Sequence, residues 1–203
     1  MFYLHPHKFE TEMINASQIL ARYLKGMRDF SRVNLNQISL TDVNLTDIKL
    51  WRANLAEINL GNTVLRRANL SETNLCGAVL WRTNLYQASL VKADLCGALM
   101  IRANLERANL YKSMFINAEM RLVSLVGADL QGANLSGADL SYADLSSANL
   151  MGANLSGTIF TGSKLVGANL SNTNLDKAML ERADLSEATL PRVDISQTRQ
   201  TIV

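Results

Sequence analysis

The chain has 203 residues, a formal net charge of +2, 48% hydrophobic residues, two cysteines and two histidines. That length suits one domain with a continuous core, and a charge so close to zero excludes both strong general attraction to nucleic acid and acidic mimicry of it. Two cysteines exclude a disulfide scaffold and point to a reducing compartment, so a cytoplasmic protein is expected.

Residues 1–14 read as irregular. Met1-Phe2-Tyr3-Leu4-His5-Pro6-His7-Lys8 has no basic region followed by an apolar run, so no signal peptide is expected. No run of about 18 apolar residues occurs, so no membrane span is expected either. His5 and His7 flank Pro6, and two histidines alone make a poor metal site. Asn15 with Gln18 three residues later reads as a capping box, and Gly26 as a stop. The segment between them predicts a helix over 16–25, with Ile19, Leu20, Tyr23 and Leu24 on one apolar face.

From Phe30 to Ile195 every fifth residue is large and apolar, without a break in phase. It is Leu at nearly every step, with Met100, Phe115, Met120 and Phe160 as the substitutes between Leu35 and Leu190. Two residues before most anchors stands a small or β-branched residue such as Ala53, Thr73, Ser113 or Ala183. A period of five fits neither a helix at 3.6 nor a strand at 2. It requires a coil with corners at five-residue intervals. Units of this kind bury a core only by stacking on their neighbours, as parallel strands about 4.8 Å apart.

The units Ala53-Asn54-Leu55, Ala93-Asp94-Leu95, Ala128-Asp129-Leu130, Ala133-Asn134-Leu135 and Ala148-Asn149-Leu150 carry the pattern Ala-(Asp/Asn)-Leu-X-X. In this the chain resembles the pentapeptide-repeat family over residues 28–197. The resemblance implies an all-β solenoid, a right-handed quadrilateral parallel β-helix with four pentapeptides per coil. Leu and the small residue before it would point inward and the other positions outward. About eight coils would make a rod roughly 40 Å long. Residues 1–27 then form an irregular N-terminus plus a helix that caps the first coil, and 198–203 a tail. Some members of the family mimic DNA and inhibit or protect gyrase, which needs a strongly acidic rod and often a C-terminal helix for dimerisation. This chain is mildly basic and shows no such helix. Its uncovered C-terminal edge suggests instead an end-to-end homodimer.

Within the repeat, Val33, Ile38, Val43, Ile48 and Ile58 are larger than the usual inward residue, so a wider first coil and a half is expected. Gly fills the second outward position at 127, 132, 137, 152, 157, 162 and 167. Type II turns are therefore expected in the second half, and other turns in the Arg- and Glu-rich first half.

Little here points to catalysis. The inward positions hold no titratable side chain. Asn and Asp before the anchors (Asn69, Asp94, Asp129, Asp139, Asp144, Asn169) suit bonding to turn amides. Cys76 and Cys96 lie 20 residues apart and should stack as neighbouring reduced thiols. Neither a metal nor a cofactor is expected. The informative outward residues are Val79, Trp81, Leu99 and Ile101, in register on consecutive coils, with Leu122 beyond them and Arg82, Arg102 and Arg121 at the rim. Met114 and Ile116 lie on the preceding side, and Ile159 with Met179 form a second, weaker ladder. Apolar patches with Trp inside and Arg around are characteristic of protein-binding surfaces, although such residues also stiffen a sheet face by stacking. Basic residues from Arg66 to Arg121 accompany Tyr86 and Tyr111, but they spread over several faces among acids, which argues against a nucleic-acid site. The reading is a non-catalytic scaffold that binds an unidentified protein partner, with no membrane association.

Overall fold

The structure is a computed structural model and describes residues 14–190. Its one helix, α1, spans Ala16–Leu24. The capping box is complete: the Gln18 amide donates to Asn15 Oδ1 at 2.9 Å and the Asn15 amide to Gln18 Oε1 at 3.0 Å. Ile14 and Ile19 occupy the N′ and N4 positions of a hydrophobic staple, and both are buried in the same core as the repeats. Leu20 and Tyr23 pack against that core. The Tyr23 hydroxyl donates to the Thr46 carbonyl at 2.8 Å, and the Arg28 guanidinium lies 3.9 Å over the Tyr23 ring. Leu24 does not join them and is 83% exposed. At 3.6 residues per turn it sits about 140° round from Ile19, at the flank of the apolar stripe.

The rest of the described chain is a coil of 20-residue period. Parallel bridges join each bridging residue to the one 20 positions on, from Asp29↔Lys49 to Asn169↔Thr189. They recur every five residues, so each coil has four sides. The bridges are single residues between turns, and no extended strand forms. A four-residue turn inside a five-residue unit leaves one residue for the ladder.

One unit shows why the backbone is stable. The Leu55 amide donates to the Asn74 carbonyl (2.7 Å), Glu57 to Cys76 (2.9 Å) and Asn59 back to Ile38 (2.9 Å). Ile58 closes the turn onto the Leu55 carbonyl at 3.2 Å. The Ala56 amide is taken by Asn54 Oδ1 at 3.3 Å. All five amides have acceptors, as backbone donors inside a fold require. Where an Asn or Asp precedes the anchor, as Asn54 does, its side chain is thus the acceptor for the first turn amide.

The anchors from Phe30 to Leu180 are buried. Between them the buried polar side chains are Ser and Thr, which bond carbonyls: Thr83 to Leu60 at 2.8 Å, Ser113 to Leu110 at 2.7 Å, Thr63 to Leu40. Among the described residues no buried side-chain N or O lacks a partner. Leu185 is half-buried and Leu190 is 40% exposed. Both belong to the last described coil, which has one described neighbour. The C-terminal dimer surface, the tail 198–203 and anchor Ile195 lie outside the described residues.

The expected change of turn type does not occur. From Arg32 to Glu187 the second turn residue has positive φ whether or not it is glycine. The coil repeats one backbone geometry, and the bond from that residue's amide to the next coil (Arg67 to Tyr86, 3.0 Å; Gly127 to Ser146, 3.0 Å) holds it there. Glycine is preferred at such a φ but not required.

Candidate functional site

The outward ladder is built by the bridge column and the turn that follows it. Val79 bridges Leu99, and Leu99 bridges Glu119. Trp81 and Ile101 occupy the first turn position of the same two coils, and Leu122 the second turn position of the next. Trp81 and Leu99 are each 38% exposed and Leu122 47%, while Val79 and Ile101 are half-buried between neighbours. Tyr142, one coil beyond Leu122, is exposed and extends the stripe. It escaped the sequence reading although it stands 20 residues past Leu122.

Trp81 lies against Gly61. A Cβ at Gly61 would come 2.4 Å from Trp81 Nε1 and 2.7 Å from Cε2. Of the glycines in the repeats, Gly61 alone stands at the first turn position. That misphased glycine is the missed sequence signal for the indole's seat. The rim is uneven. The Arg82 guanidinium is 5.8 Å from the Trp81 ring centroid. Arg121 is shared between Glu119 at 3.6 Å and Asp139 at 3.8 Å. Arg102 is exposed in the column between Arg82 and Leu122. Met114 is exposed and Ile116 half-buried on the preceding side. Ile159 and Met179 bridge each other in the Val79 column, separated from Leu99 by Glu119 and Asp139.

Cys76 and Cys96 are free, half-buried thiols on adjacent coils. Asp94 stands with them, and the three side chains offer ligand atoms all within 4.8 Å of one another. Burial pushes the Cys96 thiol up to about 12, with the Asp94 carboxylate it bonds adding to the shift. The Cys76 thiol is raised for the same reasons. Burial also tends to raise the Asp94 carboxyl, but hydrogen bonds from the Cys96 thiol and amide and the Cys76 thiol outweigh it and hold it below the usual carboxylate value. Such thiols are poor nucleophiles, since the thiolate is the reactive form. His5 and His7 lie outside the described residues. Among the described residues no helix is long and apolar enough to cross a membrane.

A four-sided coil with inward leucines and one informative outward face defines a repeat protein of the solenoid class. The chain belongs to the pentapeptide repeats family, whose model matches residues 29–67, 44–82, 88–125, 118–157, 128–165 and 155–192. It is similar to HetL, a pentapeptide repeat protein involved in heterocyst differentiation regulation from the cyanobacterium Nostoc sp. strain PCC 7120. The two are 34% identical over 91% of this chain and 96% of HetL, with a TM-score of 0.43. A second pentapeptide repeat protein of Nostoc PCC 7120 is 35% identical over 50% of this chain and 84% of its own, with a TM-score of 0.43. QnrB1, a plasmid-mediated fluoroquinolone resistance protein, is 18% identical over 83% of this chain and 87% of its own, with a TM-score of 0.65. That last likeness is one of fold, and such neighbours form right-handed quadrilateral β-helices. No curated protein matches the chain.

Proposed function

We propose that the protein is a non-catalytic scaffold, a right-handed quadrilateral solenoid whose face bearing Val79, Trp81, Leu99, Ile101 and Leu122 docks another protein. The observation that carries this reading is the seat of Trp81: a half-exposed indole laid on a glycine that leaves room for it. A rigid aromatic anchor with Arg beside it is the residue type that dominates protein interfaces. A second observation supports it. Val79 and Leu99 stand where most units carry an Asn or Asp that accepts the first turn amide, so each forgoes a local hydrogen bond worth about 1 kcal/mol, as Val64, Met114, Ile159 and Met179 also do. The net charge of +2 removes the acidic rod that DNA mimicry needs.

The test compares capture by the wild type, Trp81→Glu and Gly61→Ala, each verified as folded by circular dichroism. Trp81→Glu should lower affinity for the captured protein by about 30-fold, the effect of losing an anchor residue. Gly61→Ala should lower it less, by lifting the indole off its seat. Capture of the same protein at undiminished strength by both variants would refute the docking face, and unfolding of Trp81→Glu would make the ladder a structural element.

A further inference from the structure

We propose that Cys76, Asp94 and Cys96 form a binding site for one thiophilic divalent cation of the zinc class. This goes beyond the docking face and is independent of it. The coil itself makes the cluster. Cys76 and Cys96 hold the same turn position one coil apart, and Asp94 is the bridging residue two before Cys96. Their ligand atoms lie within 4.8 Å of one another. A tetrahedral site with bonds near 2.3 Å spaces its ligands about 3.8 Å apart, so small side-chain rotations close the distance. Two sulfurs and one carboxylate suit zinc and reject calcium or magnesium, which take oxygen alone. On binding, each thiol gives its proton to water, and two thiolates and a carboxylate offset the cation.

The column that holds Asp94 adds a second observation. Its described members are Asn34, Asn54, Asn74, Asp94, Met114, Asn134, Asn154 and Asn174. All but Met114 accept the amide two residues on. Asn74 Oδ1 does so for Cys76 at 3.1 Å and Asp94 Oδ1 for Cys96 at 3.1 Å. Asparagine performs that duty as well as aspartate does. The one acid in this column stands at the level where two thiols meet and sets a carboxylate beside both sulfurs, although Asp129, Asp139 and Asp144 fill the same turn role in other columns. The fourth coordination position is left for water. Gly77 and Gly97 follow the two cysteines, and a Cβ at Gly97 would meet nothing within 4 Å.

The full chain, kept reduced, is titrated with Zn²⁺ by calorimetry and with Co²⁺ by absorption. The expected result is one ion per chain, a thiolate-to-cobalt charge-transfer band and a rise in melting temperature with Zn²⁺. Cys96→Ser should abolish the band and the saturable uptake, and Asp94→Asn should weaken affinity by about tenfold or more. Both variants copy residues their columns already carry, Ser136 and Asn74, so the fold should accept them. Absence of saturable uptake, or uptake unchanged in Cys96→Ser, overturns the site; the second result places the ion elsewhere, with His5 and His7 the first place to look. An undiminished affinity in Asp94→Asn overturns the three-ligand set.

Discussion

The coils before Leu125 and the coils after it solve one backbone problem in two ways. Every second turn residue between Arg32 and Glu187 needs a left-handed φ. From Arg32 to Leu122 that position is filled by side-chain-bearing residues except at Gly77 and Gly97, at φ of 53 to 62°. Gly127, Gly132, Gly137 and Gly152 to Gly167 take it up at 64 to 68°. The first solution carries strain, since a residue with a Cβ is held there at a cost of about 1 kcal/mol. It gains a surface in return. Asp47 pairs with Arg67 through two hydrogen bonds of 2.8 Å, Arg52 with Glu72 at 2.7 Å, and Gln37 with Glu57 at 3.1 Å, each across one coil. After Leu125 seven of the thirteen corners are glycine and present no side chain, while Tyr142, Ser147, Asn172, Lys177, Arg182 and Glu187 keep one. Trp81, Leu99, the arginines of the rim and the thiol cluster sit in the strained half, and the stripe runs on past Leu122 to Tyr142.

If the halves differ only at their corners, they share one interior, and a charge buried in either should be equally damaging. Leu105→Asp and Leu145→Asp should each lose about 4 kcal/mol of stability in urea unfolding, the range reached when an unpaired carboxylate enters a core. Tolerance of one and not the other would mean that the halves have different cores.

The interior was legible because it is redundant: Leu35, Leu40 and their successors repeat one signal, and no single exception breaks the phase. The corners were misread where a preference was taken for a requirement. Arg67 and Glu72 adopt the geometry of Gly127 because their amides bond the next coil, a constraint the local sequence does not display. Asp94 was missed as a neighbour of Cys76 for the same reason, since the contact runs between coils and belongs to no short motif. Trp81 was read as outward correctly, but its seat depends on Gly61, 20 residues earlier. Leu24 is exposed because five helical residues turn it about 140° from Ile19, off the buried stripe.

Corner substitutions sharpen the comparison at smaller magnitude. Gly152 has φ +68° and nothing within 4 Å of an added Cβ, so Gly152→Ala isolates backbone strain and should lose about 1 kcal/mol. Gln87, at φ 56°, should respond in the opposite direction: Gln87→Gly should gain up to about 1 kcal/mol. Arg67→Gly should gain less than Gln87→Gly, because it also removes the pair with Asp47. Equal gains would mean that the cross-coil pair contributes nothing, and a loss in Gln87→Gly would show the left-handed corner to be unstrained.

The smallest effect is the pH dependence of that pair. The hydrogen bonds from Arg67 hold the Asp47 carboxyl below its ordinary value of 3.8. A carboxyl whose folded value is depressed adds stability that is present above its unfolded value and disappears as pH falls through the folded one. Asp29 and Asp184 are lowered by their own Ser31 and Ser186, so acid destabilises both the wild type and Arg67→Gly through groups they share. The pair is read from the difference between the two proteins. The advantage of Arg67→Gly over the wild type in melting temperature should be smallest near pH 6 and grow as pH falls from about 4 to about 2, when Asp47 takes up its proton and the wild type keeps its strain without its pair. Salt should shift the pH 6 difference in the same direction, because both side chains are half-exposed and screened. A difference that stays constant across that window would remove Asp47–Arg67 from the interactions that offset the strained corners.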